Sequence, residues 1–263
     1  MSPGPSQQEQ GTAFAALHLG EPFLIPNPWD AGSARVLEAL GFQSLATTSS
    51  GLAFTLGRLD GGATLDDVVA HVRALASATR LPISADLENG YGDPAAAIAC
   101  AAEAGAVGGS IEDYDPSGTL YEVGEAVERV AVAVEAARRL DFPFTLTARA
   151  ENHIRGNPDL DDTIARLQAY ERAGADVLYA PGLSTEADIR AVCGAVGKPV
   201  NVLAWKGLSV SDIVDAGAQR ISVGGALTWV AVSAMAAAAE EMRDRGSFAA
   251  LDVAPPIRDG LAD

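Results

Sequence analysis

One stretch decides how this chain is interpreted: Ser84-Ala85-Asp86-Leu87-Glu88-Asn89-Gly90-Tyr91-Gly92. It follows a short apolar run and places two carboxylates two residues apart before a glycine-rich turn. Residues i and i+2 of a β-strand point to the same face, so Asp86 and Glu88 are predicted to lie side by side where a strand ends. Two anions that close repel each other unless a cation or a proton intervenes. All-oxygen ligands suit Mg²⁺, with Mn²⁺ next, rather than zinc. A solvated acidic turn is the alternative interpretation of this stretch taken alone.

Composition limits the classes of partner. The chain has 263 residues, of which 48% are hydrophobic, enough for one large domain with a buried core. Its 35 acidic and 18 basic residues give a formal charge of −17. Such a surface repels phosphate backbones and anionic membranes, so we expect neither nucleic acid nor a membrane as a partner. Two cysteines provide no disulfide framework or zinc spacing, and residues 1–10 do not resemble a signal peptide, so we expect a cytoplasmic protein.

Eight short apolar runs alternate with helix-like segments. Continuous apolar runs between helices are typical of a parallel sheet that is covered on its outer face. The helix-like segments end at glycine and proline in strict alternation; glycine suits a left-handed helix end, and proline blocks continuation. The runs are 22–26, 44–47, 82–85, 107–111, 144–148, 177–180, 199–203 and 220–223. The junctions are Gly41, Pro82, Gly105, Pro143, Gly174, Pro199 and Gly217.

Eight such units in a chain of this length predict an α/β fold, the (β/α)8 TIM barrel. A doubly wound open sheet is the alternative, disfavoured because no G-x-G-x-x-G motif follows the first run. We predict a flexible tail over 1–11, a single catalytic barrel domain over 12–246 with an extra N-terminal helix over 12–19, and a C-terminal tail over 247–263.

Barrel enzymes carry their chemistry where the strands end. Arg149 follows a strand there and would place a fixed guanidinium opposite Asp86, Glu88 and Glu112, although a structural pair of Arg149 with Glu112 or Glu151 is the alternative. The glycine-rich loop 49–64 has the composition of a lid around Asp60, or of an ordinary flexible loop. Further polar or aromatic candidates at strand ends are Trp29, Asp30, Thr48, Ser49, Ser50, Tyr114, His153 and Asn201.

Four motifs bring these candidates together. They are Asp86-Leu87-Glu88-Asn89-Gly90-Tyr91-Gly92 for D-x-D-x-G-[FY]-G, Ile111-Glu112-Asp113 for a strand-end Glu-Asp pair, Thr147-Ala148-Arg149-Ala150-Glu151 for [TA]-A-R-x-[ED], and Leu56-Gly57-Arg58-Leu59-Asp60 for L-G-x-P-D. With them the chain resembles the isocitrate lyase / phosphoenolpyruvate mutase superfamily over nearly its whole length. In the first motif, glutamate replaces the second aspartate.

The resemblance implies a metal site and a substrate site at one mouth. Asp86 would bind Mg²⁺ directly, and Arg149 would bind a developing oxyanion. The remaining implied roles are metal-bound waters held by Glu88, Glu112 and Asp60, and a substrate carboxylate held around Thr48, Ser49 and Ser50. The superfamily acts on small 2-oxo or 2-hydroxy acids. Its members are typically homotetramers that exchange a C-terminal helix, so we expect a homo-oligomer, dimer or tetramer, with residues 226–243 as that helix.

One departure leaves the reaction open. Isocitrate and methylisocitrate lyases carry a K-[KR]-C-G-H loop whose cysteine is the acid, whereas residues 114–121 here contain no cysteine. Replacement acid/base candidates are Asp60, Tyr114, Tyr121 and His153, the histidine because its pKa suits proton transfer near neutral pH.

The leading hypothesis is a Mg²⁺-dependent lyase that cleaves a C–C bond of an oxaloacetate-like or substituted-malate-like acid. P–C bond chemistry, by a phosphonomutase or phosphonopyruvate hydrolase, is the first alternative. A catalytically inactive metabolite-binding barrel is the second, and a Schiff-base aldolase using Lys206 is the third.

Overall fold

The computed structural model describes residues 4–253. Residues 1–3 and 254–263, which belong to the two predicted tails, lie outside the described residues. The strands are β1 (Phe23–Ile25), β2 (Leu45–Ala46), β3 (Ile83–Asp86), β4 (Gly108–Glu112), β5 (Tyr114–Asp115), β6 (Thr119–Leu120), β7 (Thr145–Arg149), β8 (Val177–Tyr179), β9 (Val200–Leu203) and β10 (Arg220–Ser222). The helices are α1 (Gln7–Leu17), α2 (Ala31–Ala39), α3 (Ser49–Thr55), α4 (Leu65–Ala78), α5 (Pro94–Glu103), α6 (Val123–Arg138), α7 (Leu160–Ala173), α8 (Glu186–Ala195), α9 (Val210–Asp215) and α10 (Ala226–Arg245), followed by a 3₁₀ turn over Ala249–Leu251.

Eight parallel strands form the predicted barrel. Their order is β1-β10-β9-β8-β7-β4-β3-β2, and the amide of Ala46 donates to the carbonyl of Pro26 at 3.1 Å, which joins the two ends of the sheet. The short strands β5 and β6 form a separate antiparallel hairpin within residues 114–121, a segment without cysteine. The (β/α)8 prediction is confirmed.

The predicted glycine helix ends are also confirmed. Gly41, Gly105, Gly174 and Gly217 have φ angles of 87°, 111°, 102° and 107°. This left-handed region is open to glycine at little cost, because a Cβ would clash with the backbone there. These four residues therefore turn the chain from a helix into the next strand.

Helix α1 packs against the strand starts. It begins at Gln7, earlier than the predicted Thr12, because Ser6 and Glu9 form a capping box at its start. Its Phe14 is fully buried and packs with Ile25 and Val107. Residue 108 must be glycine for this contact, since a Cβ there would lie 2.6 Å from the Phe14 ring.

Helix α10 is long and largely uncovered. It contains 20 residues, and only Thr228 among them is buried. Trp229, Val230 and Met235 are 49%, 67% and 62% exposed. Within residues 4–253, no helix has the length and apolar character needed to cross a bilayer.

Replacing Phe14 with alanine tests the role of α1. Loss of a fully buried aromatic ring should lower the free energy of unfolding by about 3–5 kcal/mol, because the cavity cannot be refilled completely. Leu19→Ala is the matched control, since Leu19 is 87% exposed and should change stability by no more than about 0.5 kcal/mol. Urea denaturation measures both; equal losses in the two variants would contradict this packing.

Candidate active site

Arg149 is the centre of the site at the carboxyl end of the barrel. Its Nη1 lies 2.9 Å from Asp86 Oδ1, and its Nη2 lies 3.0 Å from Glu112 Oε2 and 2.7 Å from Glu151 Oε1. Nε also donates to Glu151 Oε1 at 3.1 Å. Burial alone would lower the pKa of Arg149, but Glu151, Glu112 and Asp86 hold it well above its ordinary value. One permanent cation is thus shared by Asp86 at the end of β3, Glu112 at the end of β4 and Glu151 just beyond β7.

A buried network fixes Glu151, the carboxylate that grips Arg149 most fully. Glu151 is inaccessible to solvent, and its amide donates to Asp113 Oδ1 at 2.8 Å. Asp113 Oδ2 accepts from the Tyr170 hydroxyl at 2.5 Å and from Arg166 Nη1 at 3.0 Å. Charge-assisted hydrogen bonds of this kind are strong and directional. Helix α7, which carries Tyr170 and Arg166, therefore holds Asp113 in place, and Asp113 in turn holds the backbone at Glu151.

Asp86 and Glu88 do not lie side by side on a strand, as the i, i+2 spacing predicted. Strand β3 ends at Asp86, and Glu88 has a φ of 46° in the left-handed region. Tyr91 has a φ of 52° and donates its hydroxyl to Glu88 Oε1 at 3.2 Å. A positive φ is uncommon for residues other than glycine because it strains the backbone, and such strained residues cluster at functional sites. The turn aims Glu88 into a different cavity from Asp86.

The carboxylates exceed the positive charge available to them. Burial, and then Asp86, raise the pKa of Glu88 to about 7. Burial raises the pKa of Glu112 to about 8, with Glu151 and Asp86 adding to the effect. Both groups are costly to ionise as the site stands, and a bound cation would remove that cost.

The donor set fits a strongly hydrated cation. Among residues 4–253, no three His, Cys, Asp or Glu side chains converge closely enough to chelate a metal together. Mg²⁺ does not require that, because it keeps several waters and uses one or two carboxylates directly. Asp86, Glu88 and Glu112 supply only oxygen donors, which is the chemistry that Mg²⁺ and Mn²⁺ prefer.

Two adjoining cavities open at this mouth. The smaller, of about 200 Å³, contains Asp86, Tyr179 and Asn201 in its wall. The larger, of about 500 Å³, contains Glu88 and Glu112. Both are also lined by Ser49, Asp60, Arg149 and Ile154. Arg149 thus lines both cavities, with Asp86 on the side of the smaller one and Glu88 and Glu112 on the side of the larger one.

Several predicted substrate residues line the smaller cavity. Thr48, Ser49, Ser50 and Asn201 are all in its wall. The amide of Ser49, the first residue of α3, donates to Asp86 Oδ2 at 3.0 Å. The residues that the sequence placed around a substrate carboxylate are therefore next to the carboxylate that it placed on the metal.

Trp29 and Asp30 are not among the residues that line either cavity. Asp30 instead caps α2, where its Oδ1 accepts from the amide of Ser33 at 2.7 Å. The amide of Trp29 donates to the Ser33 hydroxyl at 3.0 Å. The structure gives these two predicted residues a local role at a helix start.

Of the acid/base candidates, the structure brings Asp60 and Tyr114 to the larger cavity. Tyr114 lies in β5, and the Arg155 guanidinium stacks 3.8 Å from the centre of its ring. His153 is not in either wall; its Nδ1 lies 2.9 Å from Thr163 Oγ1 on α7. The Tyr121 hydroxyl is likewise engaged elsewhere, with Asn89 and Asp115.

Three contributors to the site received no role from the sequence. Asp113 neighbours Glu112, and strand alternation could have placed it on the outer face, toward α7. Arg155 lies 3.2 Å from Glu151 Oε2 and 3.8 Å from Glu112 Oε1, and nothing in the sequence singles it out from other loop arginines. Arg220 lines the smaller cavity from β10, within a run that the sequence analysis interpreted only as a strand.

A barrel mouth with a shared arginine and several carboxyl groups of raised pKa is typical of an enzyme active site. The model of the phosphoenolpyruvate phosphomutase family matches residues 14–243, and this chain belongs to that family. The resemblance to the isocitrate lyase / phosphoenolpyruvate mutase superfamily is thereby confirmed.

Individual proteins show the same relationship. The chain is 32% identical to 2-methylisocitrate lyase of Escherichia coli, over 74% of this chain and 70% of the relative. It is 31% identical to oxaloacetate decarboxylase of Rhodopseudomonas palustris, with the same two shares. A crystal structure from Burkholderia cenocepacia, of a protein provisionally designated a lyase/mutase, is 52% identical with a TM-score of 0.93, covering 97% of this chain and 95% of the other.

The raised pKa of Glu88 predicts a pH dependence of the metal-free protein. The folded state keeps this proton up to a pKa of about 7, whereas the unfolded state releases it near 4.5. The contribution of Glu88 to stability is therefore greatest below about pH 4.5 and falls as the pH rises to about 7. In Glu88→Gln, the free energy of unfolding should fall less between these two pH values than in the wild type. The difference should be on the order of 1–2 kcal/mol, after allowance for solvent screening of a partly exposed group.

Melting temperatures in EDTA between about pH 5 and pH 7.5 measure this difference. Glu103→Gln is the matched control, because Glu103 is exposed on α5 and should leave the wild-type profile unchanged. Parallel profiles for the wild type and Glu88→Gln would show that Glu88 does not hold a proton in the folded state.

Proposed function

We propose that this protein is a Mg²⁺-dependent lyase that cleaves a C–C bond of a small 2-oxo or 2-hydroxy carboxylate, of the oxaloacetate or substituted-malate class. The observation that carries the proposal is the convergence of Asp86, Glu112 and Glu151 on Arg149 between two cavities. Support also comes from relatives that are named as a 2-methylisocitrate lyase and an oxaloacetate decarboxylase, both of which act at C–C bonds.

In this proposal Asp86 holds the cation directly, with Glu88, Glu112 and Asp60 around its waters. When bound, Mg²⁺ supplies a Lewis acid that draws electron density from the oxygens of the substrate. Mn²⁺ would serve the same donor set.

Arg149 is the proposed electrostatic catalyst. For a 2-oxo acid, C–C cleavage leaves an electron pair that spreads onto the 2-oxo oxygen. For a 2-hydroxy acid, the hydroxyl gives its proton to a base such as Asp60 and becomes a carbonyl, while the pair passes to the carboxylate of the departing fragment. Positive charge fixed at the oxygen that gains negative charge lowers the barrier. A substrate oxyanion in the smaller cavity would compete with Asp86 for Nη1 of Arg149. Glu151 holds the guanidinium through Nε and Nη2, so the donor stays in place during the exchange.

Binding the substrate carboxylate and delivering a proton to the product require different residues. Thr48, Ser49 and Ser50 are proposed to hold the substrate carboxylate, since they line the smaller cavity. The carbanion that forms must take up a proton, for which Tyr114 and Asp60 are the proposed donors because both reach the larger cavity.

Asp86→Asn tests the proposal directly. Removing the charge that holds the cation should lower kcat/KM on oxaloacetate or a substituted malate by at least about 10²-fold, because the developing negative charge loses its stabilisation. Coupled detection of the 2-oxo acid product measures the rate with Mg²⁺ and with EDTA. Asp141→Asn is the matched control, as Asp141 is exposed and remote from the cavities.

Two outcomes would contradict the proposal. Absence of wild-type turnover across a panel of such acids would favour the inactive metabolite-binding barrel. Conversion of phosphonopyruvate, detected by phosphorus NMR, would favour P–C bond chemistry. That alternative gains little from the β5–β6 hairpin, where Ser117 and Thr119 contact each other at 3.4 Å and line neither cavity.

We further propose that the protein is a homo-oligomer, dimer or tetramer, with α10 at the contact between copies. The exposed apolar residues of α10 support this. Trp229, Val230 and Met235 are exposed to solvent, and exposed apolar patches on a protein often mark contacts with other protein chains. Helix exchange between subunits and a cytoplasmic location stay predictions.

The double variant Val230→Glu and Met235→Glu should shift the protein toward the monomer, because its two negative charges would be buried at the contact without a counter-ion. Light scattering measures the mass. Arg243→Glu is the control, since Arg243 is on the same helix with its side chain 71% exposed. An unchanged mass in the double variant would place the contact elsewhere.

A further inference from the structure

The turn that follows β3 contains two strained residues. Glu88 and Tyr91 have φ angles of 46° and 52°, and Gly90 between them has a φ of 83°. Strain of this kind persists only where the surrounding structure fixes the backbone through several contacts. Glu88 and Tyr91 also line the larger cavity. The contacts that fix this turn therefore set the direction of the Glu88 carboxyl group.

Asn89 is the residue through which the turn is held. It is 4% exposed, and its Oδ1 accepts from the amide of Tyr91 at 3.0 Å, inside the turn. Two contacts come from outside the turn: its Nδ2 donates to the Tyr121 hydroxyl at 3.0 Å, and its carbonyl accepts from Arg129 Nη2 at 2.5 Å. Because the Tyr91 hydroxyl donates to Glu88 Oε1 at 3.2 Å, these contacts reach the Glu88 carboxyl group through Asn89 and Tyr91.

Tyr121 is itself fixed by its surroundings. It directly follows β6 and is 9% exposed. Its hydroxyl donates to Asp115 Oδ2 at 3.0 Å, so the hydroxyl oxygen is the acceptor for Asn89. The Arg129 guanidinium stacks 4.7 Å from the centre of its ring, and its carbonyl accepts from Arg166 Nη1 at 3.0 Å. The β5–β6 hairpin and α6 thus present a fixed phenol to the turn.

We propose that Tyr121, together with Arg129, is a positioning residue for the metal site: it holds the turn so that the Glu88 carboxyl group faces the larger cavity. Tyr121 acts through Asn89 and gives no proton to the substrate, because its hydroxyl hydrogen is bound to Asp115. The inference rests on the proposed function, because it takes Glu88 to hold metal-bound water. It assigns the cysteine-free segment 114–121 a part in metal affinity.

Mn²⁺ binding by Tyr121→Phe tests this inference, since the variant loses one hydroxyl and keeps the ring that packs against Arg129. Isothermal titration calorimetry should give a Kd about 5- to 10-fold weaker than that of the wild type, because outer groups that orient metal ligands contribute to affinity. Thr79→Val is the matched control and should leave the Kd unchanged. Thr79 is buried, and its hydroxyl accepts from the amide of Leu81 at 3.1 Å, but it caps the end of α4 and lines neither cavity.

A double-mutant cycle separates positioning from a general loss of stability. When Tyr121→Phe is added to Glu88→Gln, the Kd for Mn²⁺ should weaken by less than about twofold further, because the carboxylate that Tyr121 positions is already absent. Melting temperatures in EDTA measure stability separately. A lower melting temperature with an unchanged Kd, or equal losses of affinity in the wild-type and Glu88→Gln backgrounds, would overturn the role of Tyr121.

Arg129 provides a second pair of variants should Tyr121→Phe fail to fold. Arg129→Met removes the donor to the Asn89 carbonyl and should also weaken Mn²⁺ binding, whereas Arg129→Lys keeps a charged donor and should retain part of the affinity. Full Mn²⁺ affinity in Arg129→Met would overturn the inference. Failure of the wild-type protein to bind Mn²⁺ would instead contradict the proposed function, and the inference with it.

Discussion

The site depends on one ionic arrangement, the guanidinium of Arg149 held among Asp86, Glu112 and Glu151. Strand register creates it, because Glu112 and Arg149 are direct partners in the pairing of β4 with β7. Buried ion pairs repay their desolvation only when geometry is good and the remaining polar atoms are satisfied. Arg155 meets that condition for Glu151, because its Nε donates to the second carboxylate oxygen, Oε2, at 3.2 Å.

The arrangement leaves negative charge unbalanced, and this imbalance gives the site its chemistry. Arg149 and Arg155 face Asp86, Glu112 and Glu151, and Glu88 adds a further carboxyl group with a raised pKa. An anionic substrate would be repelled from such a mouth unless a divalent cation arrived first. A protein with a formal charge of −17 can bind small anions only where local cations offset that charge. Arg149 and Arg220, which line the smaller cavity together with Asp60 and Asp86, supply such cations.

The sequence predicted the parts of the fold and site that depend on local rules. Gly105 and Gly174 indicated helix ends because left-handed backbone is a local property of glycine. Asp86, Glu112 and Arg149 were predicted to converge because the carboxyl ends of parallel strands meet at one mouth. The family resemblance named their implied roles, which stay predictions.

Features that depend on distant contacts escaped the sequence. The spacing of Asp86 and Glu88 suggested one strand face, but the strand ends between them and Glu88 turns into the left-handed region. His153 follows a strand as predicted, yet Thr163 on α7 holds its ring outside both cavities. Arg220 contacts Thr147 across the barrel, 73 residues away in the chain, and no local pattern indicates such a pair.

Anomalous diffraction from crystals soaked with Mn²⁺ and oxalate tests the central claim most directly. Mn²⁺ shares the oxygen-rich coordination of Mg²⁺ and scatters anomalously. We expect a single peak within direct ligand distance, about 2.0–2.2 Å, of an Asp86 carboxylate oxygen, with Glu88 and Glu112 reached through waters. A mouth without a peak, with Arg149 still paired to Asp86, would contradict the account.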